Sequence, residues 1–306
     1  MQIPALKYFL MVADIGSIRG AAEQLNVSGS AISRQIQKLE HQFGAAFFDR
    51  NQKGMVLTDE GQEFEIHARR AVRELDLANA KIDNIRGLVS GKVSFTTIEG
   101  VMNSWIFPTI ANFKKTYPGI SFDCRILSTE AIIDAVIEDK TDFGIAIGVE
   151  TRPEIEILSV IGTRFVAAMS PHHPLADRAS VGLRDIQPYE LLMLDRSFMT
   201  SKHFYRSGIE RGLSFNTTFE LNQIEALVSF VVMTNRLTIL PDYAVSPAAK
   251  SLGIVVAEIS KNDLPELQTA LFVKSNRRQT VAAAHFLEFL NDRHPAPSEG
   301  FFVEPR

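Results

Sequence analysis

Apolar residues along this chain recur first at helical spacing and then in short strand-like runs, and the change falls near residue 90. Leu6, Phe9, Leu10 and Ala13 line one side of a first helix. Two short helices follow over 17–25 and 28–40, joined by a tight turn at Asn26 and Val27, with Ser17 and Ser28 placed to cap them. Ala21, Ala22 and Leu25 are small enough to let another helix approach, and Ile32, Ile36 and Leu39 must face inward. Residues 47–61 read as a β-hairpin. The stretch 59–88 has no proline, and Phe64, Ala68, Ala71, Leu75, Ala78, Ile82 and Ile85 alternate steps of four and three along it. That period is a heptad seam. Either the helix pairs with another helix or it packs on its own domain; the narrow seam between charged flanks favours pairing with a second copy. Gly87 and Gly91 then loosen the chain into a hinge.

From Lys92 onward strands and helices alternate. Strands are expected over 93–97, 120–127 and 143–147, with helices over 103–117 and 128–138. This order implies a mostly parallel sheet with helices on both faces. Trp105 and Phe107 on the first of these helices are assigned to the core. A second run has strands over 165–169, 191–194, 216–221 and 238–240 and helices over 201–211 and 223–234. A strand over 267–273 and a helix over 280–292 read as a return to the first unit. The proline-bearing tail beyond Asp292 is expected to be loose.

The 306 residues are 45% hydrophobic and 22% charged, ample for two or three units with proper cores. A net charge of −4 confines any nucleic-acid contact to a local patch. Arg19, Arg34, Lys38, Arg50 and Lys53 supply one, against Glu23, Glu40 and Asp49. The lone Cys124 excludes an intramolecular disulfide and fits a reducing cytosol, so the protein is expected in the cytoplasm. The apolar run 227–233 is far too short for a membrane span. No nucleophile elbow, phosphate loop, dinucleotide fingerprint or zinc-helix motif occurs, so no enzyme, cofactor or metal site is expected. His172 and His173 could be mistaken for a metal pair, but Pro174 ends the element and no Cys or carboxylate joins them at ligand spacing.

The outward face of the third helix carries Gly29, Ser30, Ser33, Arg34, Gln37 and Lys38. Hydroxyls and amides read base edges in a major groove, while Arg and Lys meet phosphates. The Ala21-Ala22 pair, Leu25-x-Val27-Ser28, Ser33-Arg34-Gln35-Ile36, Lys38-Leu39-Glu40 and the run from Phe48-x-Arg50 to Leu57-Thr58-x-x-Gly61 together resemble the LysR-type transcriptional regulators. The run 172–176 resembles a recurrent surface turn of the same family. Gly29 departs from the family, which often has a base-reaching side chain there. The resemblance implies an α+β multidomain chain. A winged helix-turn-helix spans 1–58, a linker helix for dimerisation with its hinge 59–90, and an effector-binding domain 91–306. That domain has the two-lobed α/β periplasmic-binding-protein-like fold, with lobe I about 91–162 and 268–292 and lobe II about 163–267. The DNA-binding residues would be Ser28, Ser30, Ser33, Arg34, Gln37, Lys38, Arg50 and Lys53. The implied partners are double-stranded DNA, a small-molecule effector, a homodimer that extends to a tetramer, and RNA polymerase.

Ligands of open α/β sheets bind beyond the carboxyl ends of strands, near helix amino termini. Three segments satisfy that placement, and the resemblance assigns effector contacts to the same three. They are Thr97-Ile98-Glu99-Gly100, Ser128-Thr129, and the loop with Arg196, Ser197, Phe198 and Thr200, with Ile147 and Gly148 on the floor. Glu99 stands where the family often has a hydroxyl. It either holds a cationic group of a ligand, with Arg196 opposite matching a zwitterion or amine-bearing acid, or points into water. The expected function is a regulator whose operator binding or bending is switched by an organic or amino acid in the interlobe cleft. The rivals are a cytoplasmic small-molecule-binding protein without sequence-specific DNA binding and a solute-binding protein.

Overall fold

The computed structural model describes residues 3–51, 54–85, 90–245 and 253–291. Two compact units divide the chain between residues 88 and 89, with 138–140 grouped with the first. In the first unit, helices α1 (Ile3–Ile15), α2 (Ile18–Leu25) and α3 (Gly29–Phe43) precede strands β1 (Phe48–Asn51) and β2 (Gly54–Leu57) and the long helix α4 (Asp59–Ile85). The caps are those the sequence places. Ser17 Oγ accepts from the Gly20 N–H at 3.3 Å and Ser28 Oγ from the Ala31 N–H at 3.3 Å, each satisfying an otherwise unpaired first-turn donor. Between the two helices Asn26 takes the left-handed conformation, φ 57°, which its short polar side chain tolerates.

The core of this unit is aromatic. Phe9 is fully buried, with the rings of Phe47, Phe48 and Phe64 at 5.5, 5.1 and 4.9 Å. Ile32, Ile36 and Leu39 of α3 close the same cluster. The antiparallel β1–β2 wing joins α4 through Thr58, whose hydroxyl donates to the Ala46 carbonyl at 2.7 Å and accepts from the Gly61 N–H at 2.9 Å. A Cβ on Gly61 would lie 2.1 Å from the Phe47 carbonyl oxygen, so only glycine lets the helix start here.

The second unit contains two mixed sheets. The first has the order β4-β3-β5-β13-β6, from β3 (Gly91–Thr97), β4 (Ile120–Ile126), β5 (Phe143–Ile147), β6 (Ile155–Thr163) and β13 (Leu267–Lys274). β3 pairs in parallel with β4 and β5, whereas β13 runs antiparallel to both β5 and β6. The second sheet has the order β10-β9-β11-β7-β12-β8, from β7 (Phe165–Met169), β8 (Ser180–Val181), β9 (Glu190–Leu194), β10 (Asn216–Leu221), β11 (Leu237–Pro241) and β12 (Val255–Ile259). The chain leaves the first sheet after β6 and returns at β13, which makes the domain two-lobed. Helices α5 (Glu99–Val101), α6 (Phe107–Thr116), α7 (Thr129–Ile137) and the closing α11 (Val281–Asn291) belong to the first lobe; α8 (Leu183–Ile186), α9 (Met199–Glu210) and α10 (Ile224–Met233) belong to the second.

Several expectations change. The helix expected from residue 103 already begins at Glu99, and Met102–Ile106 form a π-helical stretch before α6. Pro108 has no N–H for the Ser104 carbonyl, so the ordinary ladder cannot run through this point. Trp105 is buried as expected, but Phe107 is 53% exposed, because the register shift turns it outward. Gly91 is the first residue of β3, paired with Ile120, rather than part of a loose hinge; Gly87 lies outside the described residues. His173 is buried instead of exposed on a turn: its Nδ1 accepts from the Leu175 N–H at 3.2 Å, and burial pushes its pKa down. Strands β6, β8 and β12 were not anticipated, and β13 makes the first sheet less parallel than expected.

Phe9→Ala should cost about 3–5 kcal/mol of stability, the range for removing a fully buried ring. Chemical denaturation of the chain, followed by a helix-sensitive signal, measures it.

Candidate functional site

Helix α3 presents Ser28, Ser30, Arg34, Gln37 and Lys38 as exposed residues, with Ser33 half-buried. The Ser28 and Ser30 hydroxyls lie 3.1 Å apart. Arg34 and Lys38 form no ion pair with any described residue, whereas Arg19 on α2 is paired with Glu23 at 3.1 Å. The outer face of α3 is therefore cationic and free of competing carboxylates over its middle turns. Arg50 lies on β1 opposite Met55; its side chain, and Lys53 altogether, lie outside the described residues.

The seam of α4 divides in two. Phe64, Ala68 and Ala71 pack into the aromatic core of their own unit, Phe64 stacking on Phe47 at 4.2 Å. Leu75 and Ile82 remain 39% and 48% exposed, and Ala78 is exposed too. The side chain of Ile85 lies outside the described residues. For Phe64, Ala68 and Ala71 the assignment to a partner helix is thus corrected: the winged unit needs that face of α4 to complete its own core.

In the second unit a cavity of about 300 Å³ opens where strands of both sheets end. Ile98, Glu99, Gly100, Ser128, Thr129, Ile147, Ser197, Phe198 and Thr200 line it, as do Ile126, Leu127, Leu194, Asp195, Met199, Asn222, Ile224, Pro241 and Tyr243. Three expected contacts are absent from the lining. Thr97 is fully buried beneath it, its hydroxyl donating to the Ile98 carbonyl at 3.4 Å. Gly148 turns away with φ +69°, its N–H donating to the Gln268 carbonyl at 2.7 Å. Arg196 is 71% exposed, 4.0 Å from Glu220 and stacked over the Tyr205 ring at 4.5 Å. The ring and the nearby acid hold its guanidinium outside the cavity. Asn222 follows the end of β10, and Pro241 is the last residue of β11. The strand-end rule, applied to those strands as well, would have found them.

Glu99 points neither freely into the cavity nor into water. Both carboxylate oxygens accept the Ile224 N–H at 3.2 Å, so the first lobe caps helix α10 of the second. Beside it Asn103 donates to Glu225 at 2.6 Å, and on α7 Glu130 meets Lys202 at 3.2 Å. Glu130 is held below the usual carboxylate range, first by its own backbone N–H and then by Lys202. Thr129 is buried, its hydroxyl donating to the Ile147 carbonyl at 3.1 Å. Burial raises the pKa of Tyr243, so its phenol stays neutral. Among the described residues no group of His, Cys, Asp and Glu could hold a metal ion. Burial pushes the Cys124 thiol up to about 12, which leaves little thiolate for reaction.

With both units described, two family models account for nearly the whole chain. Residues 3–62 match the bacterial regulatory helix-turn-helix protein, lysR family, and residues 86–295 match the LysR substrate binding domain. The chain belongs to the LysR family of transcriptional regulators. As a LysR-type regulator it joins a DNA-binding helix-turn-helix to an effector-binding domain. It is 27% identical over 298 residues to the transcriptional dual regulator GltC of Bacillus subtilis strain 168, covering 95% of this chain and 96% of that one. Full-length OxyR from Pseudomonas aeruginosa is similar in fold, with a TM-score of 0.71 at 18% identity, covering 100% of this chain and 99% of that one. CbnR in complex with its target DNA has a TM-score of 0.64 at 19% identity, over 95% of this chain and 99% of that one. Among the described residues of this LysR-type chain, no helix is long and apolar enough to cross a membrane.

Leu75 is uncovered in the single chain, so Leu75→Glu should leave the fold intact while putting a charge on the free half of the α4 seam. Sedimentation should show the variant shifted towards monomer by at least tenfold in dissociation constant, with its melting curve still cooperative. An unchanged dimer would remove the seam from the assembly.

Proposed function

We propose that this protein binds operator DNA through α3 and the wing, and that a small metabolite in the cavity between the two lobes switches that binding or the bend it imposes. The observation that carries the reading is the cavity itself: strand ends and helix starts of both lobes converge on a space of about 300 Å³, the lower end of the usual range of ligand pockets. A ligand there touches both lobes and shifts their balance only by its difference in affinity between the two arrangements.

Ser28, Ser30, Ser33 and Gln37 are read as base-edge or phosphate contacts, and Arg34, Lys38, Arg50 and Lys53 as phosphate contacts. The small cationic face and the net charge of −4 call for two copies acting together, joined through Leu75, Ala78, Ile82 and Ile85, with tetramers and RNA polymerase as further partners at the promoter. The protein is read as working in the cytoplasm and not as an enzyme, and the buried Thr129 and Ser201 hydroxyls both donate to backbone carbonyls. Among organic and amino acids, those bearing an amine suit the acidic lining better than plain carboxylates.

The test is retardation of a fragment of the gene's own upstream DNA, with and without a panel of metabolites. Specific retardation that changes with one metabolite class is expected; binding to all DNA alike, unaffected by any of them, would sink the reading. Within the same assay Arg34→Ala should weaken operator and random DNA by similar factors and make the salt slope shallower by roughly one. A loss confined to one base position would make Arg34 a base reader instead.

A further inference from the structure

Some of the donors that could draw an anionic ligand to the carboxyl edge of this α/β domain are already spent at the cavity. At α10 the Ile224 N–H is taken by Glu99 at 3.2 Å. At α7 the Ala131 N–H is taken by the Ser128 hydroxyl at 3.4 Å. In the turn before α9 the Ser197 N–H and hydroxyl both donate to Asp195, at 2.8 and 2.5 Å. The carboxylate already facing the first N–H of α10 lowers the positive potential that this helix start offers a further anion.

The charge of the lining points the same way. Glu99 and Asp195 are its two carboxylates, and no lysine, arginine or histidine lines it among the described residues. Arg196, the cation that sequence reasoning set opposite Glu99, is held outside over Tyr205. Each Glu99 oxygen shares one N–H with the other and keeps lone pairs for a second donor. The remaining wall mixes the polar Ser128, Thr129, Ser197, Thr200 and Asn222 with Leu127, Ile147, Phe198 and the neutral Tyr243, and this second set accepts an alkyl or aryl body and favours a nearby ammonium.

We infer that the cavity selects a small organic cation, a primary amine on an apolar body, with Glu99 as the residue that sets this preference. The inference rests on the reading of the cavity as the effector site and supplies its ligand class. A plain carboxylate would meet two like charges and no free cation. An amine would accept both carboxylates as partners while leaving the cap on α10 in place.

Calorimetric titration of the full-length chain at neutral pH with two matched pairs of probes tests this: 2-phenylethylamine against 3-phenylpropanoate, and 3-methylbutylamine against 4-methylpentanoate. Each amine should bind at least tenfold more tightly than its carboxylate counterpart. Glu99→Gln keeps an oxygen for the Ile224 N–H but removes the charge, and should lower amine affinity at least tenfold while sparing or improving the carboxylates. Leu127→Trp fills the cavity and should abolish amine binding. Tighter binding of the carboxylates, binding by neither member of either pair, or an unchanged ratio in Glu99→Gln overturns the amine preference. Carboxylate binding that is lost in Leu127→Trp would overturn it while leaving the cavity as the effector site. Amine binding that survives Leu127→Trp undiminished would remove the cavity itself from the function.

Discussion

Strand β13 lies between β5 and β6, antiparallel to both, and this pairing obliges the chain to leave the first sheet once and come back once. The crossing is locked from inside. Thr163, the last residue of β6, and Thr269 on β13 bring buried hydroxyls within 2.7 Å, and Thr269 lies 3.3 Å from the Tyr243 hydroxyl. A buried hydroxyl is costly without a hydrogen-bond partner, and these three find one another where the two crossing strands meet. Tyr243 also forms part of the cavity wall, which ties the crossing to the ligand space. A Cβ on Gly100 would come within 2.8 Å of the same ring, so the close approach of α5 to this ring needs a glycine there.

From that frame the two lobes oppose the ends of their strands, and the cavity inherits its character from what the lobes exchange. Glu99 gives a carboxylate to the start of α10, and Asn103 and Lys202 donate across to Glu225 and Glu130. Each of these contacts joins residues far apart in the chain, and together they flank the space that a ligand would enter. The first unit follows a different rule. Its core is a set of phenylalanines packed edge-on or tilted around Phe9, and α4 must lend Phe64, Ala68 and Ala71 to finish it. What is left of the seam, with Leu75 and Ile82 uncovered, is the apolar surface available to a second copy.

Helix caps, turns and inward positions of the winged unit could be read from residues alone. Ser17 and Ser28 cap as placed, Asn26 takes the left-handed turn, and Ile32, Ile36 and Leu39 face the core. The order of the larger strands and helices was readable too, because a parallel β-α-β run has long elements with clear turn signals between them. Strand β8 has two residues, too few to show a period in the sequence. β6 was missed because an outer strand of a sheet, with Leu158 and Val160 exposed, does not show a clean alternation.

Around the cavity the division is sharper. Strand-end placement brings Ile98, Gly100, Ser128, Thr129 and Phe198 to one space from sequence alone, since a strand's direction and the cap that follows it are local facts. Which groups are still free once they arrive there is not local. Glu99 already accepts from an N–H 125 residues further along, and Arg196 stacks on Tyr205 near Glu220, outside the cavity lining. The period of α4 likewise announces an apolar seam, yet only the packed unit decides that its first half is covered by its own phenylalanines. Sequence determined the elements, their caps and their apolar faces, because each is written within a few turns of chain. Tertiary structure decided which faces and which charges remain available, because that depends on partners brought together only when the chain is folded.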